Sequence, residues 1–409
     1  MPDINYYRNK LAEKQPGVLE RYKYYEMKNS VKDFEISTPP QLRWTKAVLG
    51  WCSKAVDSIA DRLNFRDFRN DNFGLNEIFQ MNNPDVLLNN GIKGALISGC
   101  DFVYIVPDDT GFPRLQVIDG ANATGTLDPI TGLLTEGYAV LERDSLTQIP
   151  VLEAYFTPDT TYYIQSGDME TVRAYNHGIG YPLLVPVIYR PDAVKPFGHS
   201  RITPACMSIQ GSAARTIKRS EISAEFYSFP QKWVSGLDAD AQKMDKWKAT
   251  MASMLQFGKD SVGDHPIIGQ FQQGSMAPHL DQLKMFASLF AGETGLTLDD
   301  LGFVTANPSS AEAIKASHET LRLTTRKAQM NFGTAFLNIG MVAACVRDGV
   351  RYDRSMFYRA KPTWYPVFDP DYAALSQIGD GAYKINQAIE GFFDKDSLFD
   401  LTGIEPAEV

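Results

Sequence analysis

Residues 303–321, FVTANPSSAEAIKASHETL, pass within a few positions from a segment with no apolar period into the start of a long helix. Ser309-Ser310-Ala311-Glu312 fits a capping box, in which the Ser309 hydroxyl takes the backbone N–H of Glu312 and the Glu312 carboxylate reaches back to the N–H of Ser309. Asn307, with Pro308 in the first turn, is an alternative start. Either device contributes about 1 kcal/mol, enough to fix a boundary. Beyond it Ile314, Leu321, Thr325, Ala328, Phe332, Ala335, Ile339, Val342 and Val346 form one apolar seam that stops at Gly349. A helix from Ser310 to Val346 would be about 55 Å long, a girder or wall, with Gly333 and Gly340 as places to kink.

The segment before this junction, GETGLTLDDLGFVTANP (292–308), is rich in Gly, Thr and Asp, and a loop of that length is usually functional or disordered. It follows PHLDQLKMFASLFAGETG (278–295), which sets Leu280, Leu283, Phe286 and Phe290 on one helical face. Further back, SRITPACMSIQGSAARTIKRSEISAEFYSF (200–229) reads as a helix with Thr203 as N-cap and Pro204 in the first turn. Its Ser208, Gly211, Ser212, Ala213, Ala214, Ser220, Ser223 and Ala224 carry little bulk, so backbones can approach closely and the helix needs neighbours. Between the two helices lie a strand-like QKWVSG, a helix-like DADAQKMDKWKATMASML, a turn at KDSVGDHP and a strand-like IIGQF. The order is helix, inserted module, helix.

Residues 1–91 read as mainly helical, with Trp44, Val48, Trp51, Ala55, Ile59 and Leu63 as one stripe in QLRWTKAVLGWCSKAVDSIADRL and Pro39-Pro40 marking where it begins. From Gly94 to Pro191 the period changes to two, in DFVYIV, RLQVID, YAVLE, TYYIQS and TVRAYN, separated by turn signals. That predicts a meandering antiparallel sheet. After 362 come an aromatic, proline-rich crossing, a helix with Leu375, Ile378, Tyr383, Ile385 and Ile389 ending at Gly391, and a short helix around Ser397–Leu401.

The chain has 409 residues, 44% of them hydrophobic and 22% charged, enough for two or three cores. A net charge of -9 excludes a surface with general affinity for nucleic acid, so any such contact is local. Cys52, Cys100, Cys206 and Cys345 lie far apart, which excludes CxxC chemistry and points to a reducing compartment. The start, MPDINYYRNK, has no apolar leader, and YPLLVPVIY and FLNIGMVAACV read as too short or too interrupted to cross a bilayer. The expectation is a soluble, unexported chain with no membrane contact.

Nothing argues positively for catalysis. There is no GxxxxGK[ST], and the five histidines, His177, His199, His265, His279 and His318, form no metal-binding pair, so no cofactor or metal is expected. FRDFRNDNFG resembles a calcium loop only loosely and reads as a helix-ending turn. Asp108, Asp109 and Asp128 sit in turns, and Asp299-Asp300 has no identifiable partner. Basic residues cluster as Arg215, Lys218 and Arg219, and as Arg322, Arg326 and Lys327. They fit solvated helix faces or intersubunit ion pairs, or else weak, sequence-blind contacts with phosphates.

Three stretches together resemble a portal protein of tailed bacteriophages, of the siphovirus type. They are RYKYYEMKNS with TPPQLRWTKAVLGWCSKAVDSIADRLNFRDF, the small-faced helix with its inserted tip, and GLTLDDLGFVTANPSSAEAIKASHETL. The resemblance implies an α+β portal fold: an α/β wing of N-terminal helices and antiparallel sheet (1–199), a stem helix (200–229), a small α/β clip (230–277) and a second stem helix (278–291). It continues with a tunnel loop (292–308), a long wing helix and return (309–370) and a short helical crown (371–409).

In this plan Thr297, Asp299, Asp300, Thr305 and Asn307 face the channel, Ser309 and Glu312 anchor the loop to the helix, and Lys218, Arg219, Arg322, Arg326 and Lys327 are candidate DNA or intersubunit contacts. The implied partners are eleven further copies in a twelve-subunit ring, double-stranded DNA passing without sequence specificity, terminase, major capsid and scaffolding proteins, and a head-completion adaptor. The implied place is one capsid vertex of a virion assembled in the host cytoplasm. An acidic channel wall with few basic residues would keep DNA from being gripped. The rival readings are another head-tail connector, which would lack two stem helices around an inserted module, and an enzyme acting on a polymer through Asp299 or Asp300, which would need a nearby carboxylate or metal.

Overall fold

A computed structural model of the chain describes residues 4–31, 38, 40–107, 111–166, 171–228, 232–236, 265–270, 274–303, 316–368 and 372–404. Among them the helices are α1 (Ile4–Tyr25), α2 (Trp51–Ala60), α3 (Leu75–Gln80), α4 (Pro84–Ser98), α5 (Pro204–Ser228), α6 (Ala277–Thr294), α7 (Glu319–Asp348), α8 (Tyr372–Ala388) and α9 (Lys395–Thr402). The strands are β1 (Phe65–Arg69), β2 (Cys100–Val106), β3 (Arg114–Ile118), β4 (Ala123–Leu127), β5 (Leu134–Arg143), β6 (Pro150–Phe156), β7 (Thr160–Gln165), β8 (Thr171–Asn176), β9 (Leu184–Ile188), β10 (Lys232–Ser235), β11 (Ile267–Gln270) and β12 (Lys361–Trp364). The fold is mixed α+β.

The expected antiparallel meander is present, divided between two sheets. β4 to β8 form one sheet in chain order, and β3-β2-β9 form a second. β2 does not alternate as its period suggested: six consecutive residues from Cys100 are buried, because α4 covers one side and α7 the other. In the larger sheet β8 is an edge exposed along all six of its residues.

The other edge, β4, is covered by α1, a helix with few buried apolar residues that docks through polar contacts. Lys10, Lys14 and Gln15 donate to the carbonyls of Gly125 (2.7 Å), Ala123 (3.4 Å) and Ala121 (3.2 Å). Arg8 Nε donates to buried Glu153 at 3.1 Å, the Tyr7 hydroxyl to Glu136 at 2.9 Å, and Arg21 to the Ser98 carbonyl at 2.8 Å. None of these clamps shows as a period in the sequence.

Under α1, Asp101 is buried and accepts hydrogen bonds from the Ser98 hydroxyl (2.7 Å) and the Gly120 N–H (2.8 Å). Burial pushes its pKa up to about 7, and burial likewise holds neighbouring Lys14 below the usual lysine range. Gly94 makes room for this carboxyl: a Cβ there would lie 1.6 Å from the Asp101 Oδ2.

α7 bears out the apolar seam from Leu321 to Val342, with Leu321, Thr325, Ala328, Phe332, Ala335, Ile339 and Val342 all buried and Val346 half-buried, while Ile314 lies outside the described residues. It packs on β9, β2, β12 and α3. Gly349 ends it in the left-handed conformation, φ 63°. Gly333 and Gly340 serve close packing, since a Cβ would approach the Pro362 ring to 2.7 Å and Leu75 to 3.2 Å respectively. The described helix has 30 residues, about 45 Å, and a turn at His318 separates it from the helical pair 316–317. The expected unbroken helix from Ser310 is therefore not seen. Against the sequence expectation, α7 is long and apolar enough by length and composition to cross a membrane, but 72% of its apolar window is buried inside the fold.

The stripe 41–63 is only half right. Trp51, Ala55, Ile59 and Leu63 are buried, but 45–50 is not helical, and Trp44 is 77% exposed. Gly50 passes close to Met27, where a Cβ would meet its sulfur at 3.1 Å, and tertiary contact overrides the helical period. FRDFRNDNFG is a strand followed by a turn into α3, not the end of a helix: Asn70 takes φ 56° and Asp71 accepts the N–H groups of Phe73 and Asn76.

At the C-terminal side α9 docks on β1 through Arg66 and Arg69, which meet Asp400 at 3.4 and 2.9 Å. Its N-cap Asp394 accepts from Ser397 N–H at 2.7 Å. Tyr383 and Ile385 of α8, and Ile389 just after it, are exposed.

Candidate assembly and channel surface

α5 and α6 form an antiparallel pair. The Thr203 hydroxyl donates to Glu293 and the Thr216 hydroxyl to Gln282, each at 3.0 Å, and Gly274 lies against Tyr227 at the far end. Thr203 caps α5 as expected, its hydroxyl accepting the Cys206 N–H at 3.2 Å. Gly211, Ala213 and Ala214 are buried, but Ala213 belongs to the main core and Ala214 lines a cavity with Met27, Arg43 and Val48, so these small residues serve contact with the body. The base is fixed to the body: Arg201 donates to the carbonyls of Ala55 and Thr294, Gln210 accepts the Cys52 N–H at 2.7 Å, and Phe290 meets Trp51 at 5.5 Å.

Away from that base the pair is uncovered. Leu280, Met285 and Leu289 of α6 are 60%, 50% and 53% exposed. Only Leu280 belongs to the face read from the sequence; Met285 and Leu289 were missed, although a helix apolar on two faces is itself a signal of two neighbours. The two helices carry four basic residues, Arg215, Lys218, Arg219 and Lys284, and four acidic ones, Glu221, Glu225, Asp281 and Glu293. The pair is balanced, so the expected acidic wall is not written into these helices. Between them β10 and β11 form an antiparallel ladder; the helix-like stretch 238–255 lies outside the described residues.

The loop begins later than expected. α6 runs through Gly292 to Thr294 and ends on Gly295, φ 69°. Leu296, Leu298, Leu301 and Phe303 then pack on the core. Asp300 accepts the Thr297 N–H (2.9 Å) and hydroxyl (2.8 Å), while Thr297 Oγ1 accepts the Asp300 N–H (3.2 Å), so this carboxylate closes a local turn. Asp299 is exposed.

The two ends of the loop are held together. A Cβ on Gly295 would meet Thr320 at 2.9 Å, and Asp300 Oδ2 lies 3.7 Å from His318 Nδ1. Thr305, Asn307, Ser309 and Glu312 lie outside the described residues.

The basic candidates divide. Lys218 donates to the Arg43 carbonyl at 3.4 Å, and Arg219 is half-buried on the same helix. Arg322 forks onto Glu319 at 2.7 and 2.6 Å. Arg326 and Lys327 are exposed on α7, with Leu323 and Met330 beside them. Among the described residues no group of three His, Cys, Asp or Glu could hold a metal. Asp300 is engaged by Thr297 in a local turn, and among the described residues no second carboxylate is within ion-pair or hydrogen-bond reach of it.

A sequence model of the family described as phage portal protein, SPP1 Gp6-like, matches residues 4–364. The chain belongs to this portal family. It is thus a structural, non-enzymatic protein with a portal role at a phage capsid vertex. The portal protein of Mycobacterium phage L5 is 25% identical over 387 residues, covering 90% of this chain and 78% of its own. That of Mycobacterium phage D29 is 26% identical, covering 90% and 79%. Among solved structures, a chain in the neck of a native gene transfer agent particle, computed with C12 symmetry, aligns over 87% of this chain and 90% of its own at 15% identity and TM-score 0.47.

Proposed function

We propose that identical copies of this portal chain close into a twelve-membered ring whose axis is the channel for double-stranded DNA during packaging and ejection. Residues 200–229 and 278–294 form the stem and 230–277 the clip; 1–199 with 309–370 form the wing, 295–308 the tunnel loop and 371–409 a short crown. The observation that carries this reading is the α5–α6 pair, which leaves apolar side chains uncovered on two faces of α6, Leu280 on one and Met285 and Leu289 on the other, as a helix between two neighbours would. Such a surface is too costly to leave in water along a stalk and is satisfied by the next copy. Two helices flanking the β10–β11 module favour a portal over another head-tail connector.

Thr297, Asp299, Thr305 and Asn307 are assigned to the channel side of the loop, with Asp300 holding its base. Ser309 and Glu312 remain its anchor to the wing helix, and Lys218, Arg219, Arg322, Arg326 and Lys327 its DNA or intersubunit contacts. Terminase, major capsid and scaffolding proteins and a head-completion adaptor are the partners, met during assembly in the host cytoplasm. Mass photometry over a range of salt and protein concentration tests the ring: a species of about 550 kDa, twelve chains of 45.6 kDa, is expected. Monomers and dimers alone under every condition would overturn it.

A further inference from the structure

A basic cleft lies at the base of the stem pair, where the start of α5 and the end of α6 meet α7. Its volume is about 990 Å³, and four cations from distant parts of the chain line it: Arg21 of α1, Arg190 and Lys195 of the β9–α5 connection, and Lys327 of α7. Bringing like charges together from separate elements costs Coulomb energy unless an anion joins them. Two acids also line the cleft and leave it a formal excess of two positive charges, and both already accept hydrogen bonds. Asp192 accepts the N–H groups of Val194 (2.8 Å) and Lys195 (2.6 Å) and meets His199 Nε2 at 2.6 Å, while Glu293 takes the Thr203 hydroxyl. Among the described residues Arg190, Lys195 and Lys327 have no carboxylate within salt-bridge distance.

The cleft is built before any ligand arrives. The connection is closed by the His199 N–H on the Tyr189 carbonyl (3.0 Å) and the Gly198 N–H on the Lys195 carbonyl (2.9 Å). Arg190 is held at φ 49°, a left-handed conformation costing on the order of 1 kcal/mol in a residue with a side chain. Arg21 is half-buried and gives one N–H to Ser98, leaving further donors of its guanidinium. The first turn of α5, at Thr203 and Pro204, also borders the cleft, and a helix of 25 residues presents its positive end there.

We propose that this cleft binds a phosphate group, carried either on a nucleic-acid backbone or on a small phosphate or nucleotide. Two lysine point charges, two arginine forks and a helix N-terminus match an oxyanion with several acceptors. The volume admits a stretch of DNA backbone as readily as a nucleotide. The site is complete within one chain and does not rest on the ring.

The test titrates a labelled DNA duplex, inorganic phosphate and ATP against the full chain, with mass photometry on the same samples. Three proteins are compared: wild type, Lys195→Gln/Lys327→Gln, and a control Lys54→Gln/Lys384→Gln, whose exposed lysines lie outside the cleft. The cleft pair is expected to weaken duplex binding roughly tenfold or more and to reduce the slope of log affinity against log salt by about 1.8, with the control unchanged. If phosphate or ATP binds in a manner sensitive to the cleft pair and the duplex does not, the site stands and its source is the small phosphate. Equal loss in both pairs would reduce the effect to net charge and overturn the site, as would no binding of any probe. Loss of the assembled species in the cleft pair alone, with binding unchanged, would assign the cleft to a neighbouring copy and also overturn it. Failure of all three proteins to assemble while the cleft binds would sink the ring alone.

Discussion

Replacing Leu280, Met285 and Leu289 together by glutamine should abolish assembly without unfolding the chain. The three side chains are 60%, 50% and 53% exposed, so each keeps about half of its burial for another surface. Full burial of a leucine or methionine is worth about 1.5–3 kcal/mol, so half of it gives about 1 kcal/mol per residue and about 3 kcal/mol per contact between copies. That weakens each contact roughly 100-fold, and every copy in a closed ring makes two. Glutamine keeps helix propensity close to leucine, so thermal unfolding of the separated chain should move little. A dilution series by mass photometry, paired with circular dichroism melts, reads both quantities. Rings persisting at wild-type dilution would show that these two faces are not the contacts. A melt lowered by more than about 5 °C would show that the side chains serve the chain's own core.

Gly94→Ala places a methyl 1.6 Å from the Asp101 Oδ2, on a carboxyl whose other oxygen is pinned by Ser98 and Gly120, so a loss above about 3 kcal/mol is expected in urea unfolding, and a midpoint near wild type would refute the packing. Asp101 has a folded pKa raised from 3.8 to about 7, so its neutral form stabilises the fold at low pH and that contribution is lost as pH rises through about 7. The stability difference between wild type and Asp101→Asn should therefore fall by up to about 1.4 kcal/mol per pH unit between about pH 4 and 7, and a difference flat across that window would refute the burial. Thr297→Val removes the two hydroxyl bonds to Asp300 while leaving the backbone N–H bond, and should cost about 1 kcal/mol locally, read as faster amide exchange in 296–303 with global stability unchanged; unchanged exchange there would refute the hydroxyl's role in the turn.

Much of the architecture was legible because burial imposes a period. The α7 seam, the meander and the Thr203-Pro204 start of α5 all follow from which positions meet the core. What stayed hidden depends on contacts between distant residues. α1 is held by Arg8, Lys10, Lys14 and Gln15 reaching backbone and buried charge more than a hundred positions away, which no local pattern records. Trp44 continued a helical stripe on paper, yet 45–50 is drawn out beside Met27 and α5. The candidate site was legible as segments rather than as geometry: the acidic pair was visible, but not that Asp300 is spent on Thr297, and Arg190 gave no hint that it would line one cleft with Lys327.

The two rims of the five-stranded sheet are unequal, and that inequality governs how sheets from different molecules could ever join. At β8 an incoming strand would find a free seat, whereas at β4 the carbonyls of Ala121, Ala123 and Gly125 are already claimed by a helix of the same molecule. Fibrous growth by this sheet needs a donor rim and an acceptor rim on each molecule. With one rim sealed, strand addition ends after a single partner, and a crowded pool of newly made chains is spared runaway stacking.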